Sequence, residues 1–287
     1  MTGQTTSTGP SINVQSTGAP SNGLPVTNSL KLGYLFSLLI AILTAFTSLT
    51  SIIFQDEIYP SEELLQSFLP NDIVNLLIGL PILLGSMWLA RRGNLIGLLF
   101  WPGALFYGLY NYLIYLFGMP FGAMYPFHLV LVTLSIYTLI GLVASIDSTA
   151  VKQRLAGRVP ERLAGGVLFV AGAAFGLVAL ITIESAELSD TYLPKSELAL
   201  STFDFIVSAA WIIGGAMLWR RKALGYVVGT GLLFNLSMLF VGLLAVMLLQ
   251  PLLTDAPFSA TDVMVIFVMT LLSFIPLILF IRGASRS

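Results

Sequence analysis

Residues 72–116 read DIVNLLIGLPILLGSMWLARRGNLIGLLFWPGALFYGLYNYLIYL. Two apolar runs meet at one short basic punctuation, Arg91-Arg92-Gly93-Asn94. A helix rises ~1.5 Å per residue, so each run can cross a ~30 Å hydrocarbon core. Arginine avoids that core, so the pair pins the hairpin tip to one water interface. A backbone in lipid must satisfy its own hydrogen bonds, which leaves helices and closed barrels. A barrel would need ~10-residue alternating segments, and these runs do not alternate.

The remainder of the chain repeats this pattern. Hydrophobic residues make up 56% of the 287 and charged residues 9%, against roughly 25% charged in a soluble domain. Eight apolar runs are expected near 32–54, 72–90, 95–117, 125–146, 163–183, 201–219, 223–249 and 261–281. Residues 1–30 are polar and uncharged, and are expected to be a disordered tail. The chain contains no cysteine and a single histidine, His128, which excludes thiolate and multi-histidine metal sites. No cofactor or metal is expected, no catalytic residue stands out, and the uncharged tail argues against a nucleic-acid partner. The bilayer is the expected partner.

The loops alternate in charge. Lys31, Arg91, Arg92, Lys152, Arg154, Arg158, Arg162, Arg220, Arg221, Lys222, Arg282 and Arg286 fall on one side, and Lys195 alone on the other. The positive-inside rule makes the first side cytoplasmic, with both termini inside a cell membrane. A repeat accompanies the alternation. Asp72, a span, Arg91-Arg92 and Gly97 are followed later by Asp204, a span, Arg220-Arg221 and Gly225. The expected fold is an all-α polytopic membrane bundle of eight transmembrane helices in two parallel four-helix repeats. The units are 31–146 and 163–287, with 147–162 as a cytoplasmic linker.

The tract WLARRGNLIGLLFWPGALFYGLYNYLIYLFG, residues 88–118, resembles one that recurs in uncharacterised multi-pass membrane proteins of prokaryotes. Those proteins also carry an acid at the start of the preceding span, as Asp72 does here. The resemblance covers most of residues 32–281 and excludes the tail. It implies a multi-pass fold and carries no reaction, ligand or catalytic residue.

Few residues offer chemistry. Asp72 and Asp204 each open a span in this reading, and suit either a cation site at the outer mouth or simple helix-dipole complementation. Asp72 precedes Arg91 by roughly 28 Å of helix, which places it at the interface. Gly103, Tyr107, Asn111 and Tyr115 recur every four residues and share a face. His128 enters from the same side, and Asn75 lies one turn beyond Asp72. Asp72, Asn75, Tyr107, Asn111, His128 and Asp204 are therefore the candidate site, an outward-facing vestibule. No ionisable residue falls in the central third of an expected span, which argues against proton pumps and ion-coupled carriers. Gly172 with Gly176, and Gly225 with Gly229, form GxxxG faces for packing within the chain, with a second copy or with another membrane protein.

Three functional readings follow: a carrier or channel for a neutral or amphiphilic solute, a non-catalytic scaffold subunit of a membrane complex, and an intramembrane lipid-modifying enzyme. The topology is directly testable. Thr191→Cys and Ser259→Cys should react with an impermeant thiol reagent applied to intact cells, and Ser148→Cys should not. Labelling at Ser148→Cys would reverse the orientation.

Overall fold

The computed structural model describes residues 23–188 and 192–285. The described residues are helical apart from short connections. In chain order the elements are α1 (Lys31–Ile53), α2 (Gln55–Ile58), α3 (Glu62–Val74), a π-helical turn (Asn75–Gly79), α4 (Leu80–Arg91), α5 (Leu95–Gly118), α6 (Tyr125–Ser145), α7 (Ser148–Leu155), α8 (Glu161–Leu188), α9 (Lys195–Trp219), α10 (Ala223–Leu253) and α11 (Ala260–Ala284). Seven segments are long and apolar enough to cross a membrane: α1, the continuous Glu62–Arg91 rod, α6, α8, α9, α10 and α11. The expected third span, α5, has 24 residues, ample in length, but its tyrosines, glycines and Asn111 dilute its apolar character.

The second span begins ten residues earlier than the apolar run suggests. Ser61 caps it by accepting from the Leu64 N–H, and Glu62 and Glu63 occupy the first turn. An acid there complements the helix dipole. Asp72 therefore lies well inside this helix and does not open it. The π turn at Asn75–Gly79 directly precedes Pro81. Proline lacks an N–H and crowds the carbonyl four residues back, so a widened turn relieves the clash.

The α4–α5 and α9–α10 hairpins are built alike. Each turns through one left-handed residue, Gly93 at φ 80° and Arg221 at φ 53°. Each has a glycine four residues later, where a side chain would collide with the preceding helix. A Cβ on Gly97 would lie 2.6 Å from the Ala90 nitrogen, and one on Gly225 would lie 2.7 Å from the Leu218 nitrogen. Helices α4 and α9 end at 91 and 219, and α5 and α10 begin at 95 and 223, so both separations are 128 residues. In this register Gly93 matches Arg221, and the arginine pairs are offset by one position. The aspartates do not match: Asp72 falls opposite Leu200 and Asp204 opposite Leu76. The expected equivalence of the two acids is thus corrected by a full helical turn.

At the centre, α5 crosses α10. A Cβ on Gly103 would collide with the Gly231 backbone, and one on Gly231 would lie 3.3 Å from the Gly103 nitrogen. Phe100 stacks on Phe234 beside this crossing, with centroids 4.2 Å apart. Helices α8 and α9 also meet backbone to backbone. A Cβ on Gly165 would lie 2.6 Å from the Gly215 carbonyl, and one on Gly172 2.7 Å from the Ser208 carbonyl. Both GxxxG pairs are used inside the chain, since Gly176 faces Ser208 while Gly225 and Gly229 face Met217 and Leu218 of α9. Neither pair is a free face for a second copy, which removes the expected oligomer contact. The outward surfaces of α1, α6, α8 and α11 carry exposed Leu, Ile, Val and Phe instead, the composition that lipid solvates.

The basic residues gather at one end. There α7 buries Val151 and Leu155 under the bundle, and Asp147 caps it by accepting from the Thr149 and Ala150 N–H groups. Glu161 accepts from Tyr226 Oη at 2.9 Å and from the Gly157 N–H at 2.8 Å, and pairs with Arg221 at 3.5 Å. Arg92 covers the Trp88 ring at 3.8 Å. Residues 1–22 of the expected disordered tail lie outside the described residues. Its last part is held by the linker: the Thr27 N–H donates to Ser145 O, the Asp147 N–H to Pro25 O, and Arg154 to Gly23 O. The first two are backbone-to-backbone bonds, which a side-chain composition does not reveal, and the third is a guanidinium-to-carbonyl bond.

The α5–α10 crossing should be intolerant of added volume. Gly103→Ala should lower unfolding stability in detergent by ~1–3 kcal/mol, the usual cost of overpacking. Gly108→Ala, on the same helix with nothing within 4 Å of its Cβ position, should be neutral or gain up to ~1 kcal/mol.

Candidate functional site

A cavity of about 490 Å³ lies between α3, α5, α8, α9 and α10. Each helix presents residues at helical spacing. Helix α3 contributes Glu63, Gln66, Ser67 and Asn71; α5 contributes Tyr107, Tyr110, Asn111 and Ile114; α9 contributes Ser196, Glu197, Leu200, Asp204 and Trp211. Steps of three, four, seven and eight keep each set on one helix face. Phe175 of α8 and Phe240, Leu243 and Val246 of α10 complete the wall.

The cavity is graded along its length. Glu63 and Glu197 are exposed at the end bearing the acidic loops, while Tyr107 and Trp211 are each 2% exposed at the far end. From Glu197 to Trp211 is roughly 21 Å of helix. The floor is aromatic: Phe175 meets Trp211 and Phe240 edge-on, at 5.5 and 5.4 Å between centroids. One turn from Tyr107 toward the start of α5 is Gly103, at the close crossing with Gly231.

Polar ties join the helices around the opening. Asn71 Nδ2 donates to Asn111 Oδ1 at 3.1 Å, and Asn111 Nδ2 donates to the Tyr107 carbonyl at 2.9 Å. Ser196 Oγ donates to Glu63 at 2.9 Å, and Gln250 to the Gln66 carbonyl at 3.2 Å. Tyr110 Oη donates to Asp204 Oδ1 at 2.5 Å, within the range of a charge-assisted bond to a carboxylate. Trp211 Nε1 donates to Asn235 at 3.0 Å behind the floor.

The six candidate residues separate into two groups. Tyr107, Asn111 and Asp204 line the cavity. Asn75 sits behind Tyr107, against a hollow of about 20 Å³. Asp72 and His128 are elsewhere, in a closed cluster between α1, α3, α5 and α6. Asp72 is 1% exposed and accepts a hydrogen bond from Tyr59. Tyr115 Oη donates to the Phe68 carbonyl at 3.2 Å, and Tyr112 Oη lies 3.4 Å from Thr47 Oγ1. The His128 ring packs on Tyr115 at 5.1 Å and Tyr112 at 5.8 Å. Burial and the adjacent carboxylate push the Tyr59 phenol well above its ordinary value, so it remains a donor throughout the physiological range.

Two expectations are corrected here. Asp72 is not a solvated helix end, because the helix starts at Glu62 and turns residue 72 inward. Ionisable residues do reach the middle of spans: Asp204 is the tenth of the 25 residues of α9. Glu63, Asn71, Glu197 and Trp211 complete the site and are not among the expected candidates, together with Tyr110, which lies beside the Tyr107 and Asn111 stripe. The Glu63/Asn71 pair had a readable sign, a helical spacing continuous with Asp72's own span.

Neither protein-family models, curated proteins nor solved structures give a match to this chain.

The two carboxylates have separate partners. Asp72→Asn and Asp204→Asn should therefore alter unfolding free energy additively, within ~0.5 kcal/mol. Asp72→Asn and Tyr59→Phe share one bond and should couple by ~0.5–3 kcal/mol. Coupling between the aspartates would mean that the clusters communicate.

Proposed function

We propose that this chain is a multi-pass carrier of amphiphilic solutes, with eight spans in two related halves and both termini on the cytoplasmic side. The observation that carries the reading is the cavity between the halves, polar at its open end and aromatic at its floor. Solute cavities are typically about this size, mostly apolar, with a few placed polar groups. A scaffold subunit would need no such space, and its expected GxxxG faces are occupied within the chain.

Helix α5 is the eighth span in this reading. Its 24 residues extend roughly 36 Å, and 17 of them are buried. A helix sheathed by other helices touches little lipid and can carry tyrosine and asparagine. The common separation of 128 residues and the contact between the matched glycines Gly103 and Gly231 support a pseudo-two-fold axis at the crossing. Parallel repeats of this kind hold solute at the repeat interface and alternate by rocking one half on the other. The Gly103–Gly231 contact is the natural pivot. The basic cluster at the other end supports a cytoplasmic position for that end by the positive-inside rule, with the cavity facing outward in this reading.

Filling the cavity tests this. Val246→Trp should abolish saturable solute binding in a melting-temperature screen and solute uptake into proteoliposomes, with the fold preserved. In the unmodified chain, a ligand at 100 times its Kd should add ~2.7 kcal/mol of stability. If no amphiphile of any charge raises the melting temperature, the carrier reading is wrong.

A further inference from the structure

Building on that carrier reading, we infer that the solute is an organic cation, with Asp204 as the counter-ion for its ammonium group and the aromatic floor as the seat of its apolar body. Three features of the cavity point this way. Its lining includes Glu63, Glu197 and Asp204 and no lysine, arginine or histidine. A wall with one sign of charge and low-dielectric surroundings concentrates ligands of the opposite sign. Lys195 stands exposed beside the mouth but is not part of the lining, so an anion inside the cavity would face acids alone, and a neutral solute would leave Asp204 without a partner charge.

Asp204 itself is the second feature. A carboxylate within a membrane-spanning helix is costly, and such residues pair or mark a solute path. The only ion pair found among the described residues is Glu161–Arg221, at the opposite end. Asp204 is held by Tyr110, a neutral donor that orients one oxygen without supplying charge. It is half-buried and borders the cavity, so water reaches it from the open end, and a cation can replace that water.

The third feature is spacing. Trp211 lies seven residues beyond Asp204 on the same helix, roughly 10 Å deeper. Its indole and the Phe240 ring offer aromatic surface on which an apolar or aryl body packs. The fitting ligand is an ammonium with an apolar or aryl body long enough to reach that floor.

The test uses the full chain in nanodiscs of zwitterionic lipid, with empty nanodiscs as the blank. The probes are phenylbutyl-trimethylammonium, the neutral phenylpentanol and the anionic phenylpentanoate, which share length and aryl group. Saturable binding should rank cation over neutral by at least tenfold, with the anion weakest. Asp204→Asn should remove at least tenfold of the cation's affinity and shift the alcohol's by less than threefold. Asp262→Asn, an acid at the same end that does not line the cavity, should change neither. Equal binding of cation and alcohol by the unmodified chain would overturn the cation assignment and leave the carrier reading intact. Saturable binding of none of the three would overturn both. Full cation preference in a folded Asp204→Asn chain would overturn Asp204 as the counter-ion. If Asp204→Asn does not fold, the ranking of the three probes on the unmodified chain still decides the charge of the solute.

Discussion

The backbone contact between α5 and α10 at Gly103 and Gly231 is the constraint on which the rest of the bundle depends. Lipid tails are as apolar as leucine, so helices in a bilayer gain little by hiding apolar side chains from it. Close approach of backbones supplies the packing instead, and only glycine permits it. Here the crossing brings the two halves together at one level, and toward the acidic end they meet again around an opening ringed by the Ser196–Glu63 and Gln250–Gln66 bonds. The cavity is the space that results. The constraint is tighter at Gly103, whose Cβ would collide with the Gly231 backbone, than at Gly231, whose Cβ would lie 3.3 Å from its nearest neighbours.

Buried polar groups follow from that geometry. Asp72 is enclosed by hydroxyls, and Asp204 is open to a cavity. The two acids differ in chemistry because their neighbours differ: Asp72 meets the Tyr59 hydroxyl in a closed cluster, and Asp204 borders the cavity. Removing a hydroxyl partner of an enclosed carboxyl leaves a buried acceptor unsatisfied, a loss of roughly 1–3 kcal/mol. Asp72 therefore reads as a structural centre of the first half. Asp204, with one tyrosine as partner and a lined cavity in front of it, is the residue available to a ligand.

Several elements were legible before any coordinates. The Arg91–Asn94 turn and the turn at Arg220–Lys222 appear where local composition places them, because a basic residue between two apolar runs has one low-energy place, the interface. The stripe of Tyr107 and Asn111 was legible as one helix face. The start of the second span was not. Glu62 to Asp72 reads as a polar loop, and it is helical because its acids border a cavity mouth and a hydroxyl cluster. The glycine pairs were legible as packing faces, but their partners lay in the same chain.

Sequence by itself determined that this chain has segments apolar enough to cross a membrane, how it reverses direction and where its charges collect. Those properties depend on the free energy of moving local segments between water and hydrocarbon. Tertiary structure alone decided which helix faces meet each other, which acid is sealed and which is open, and that a cavity separates the halves. In a soluble protein polarity tells inside from outside. In a bilayer both the protein interior and the lipid are apolar, so the hydropathy of a helix is silent about which of its faces turns inward.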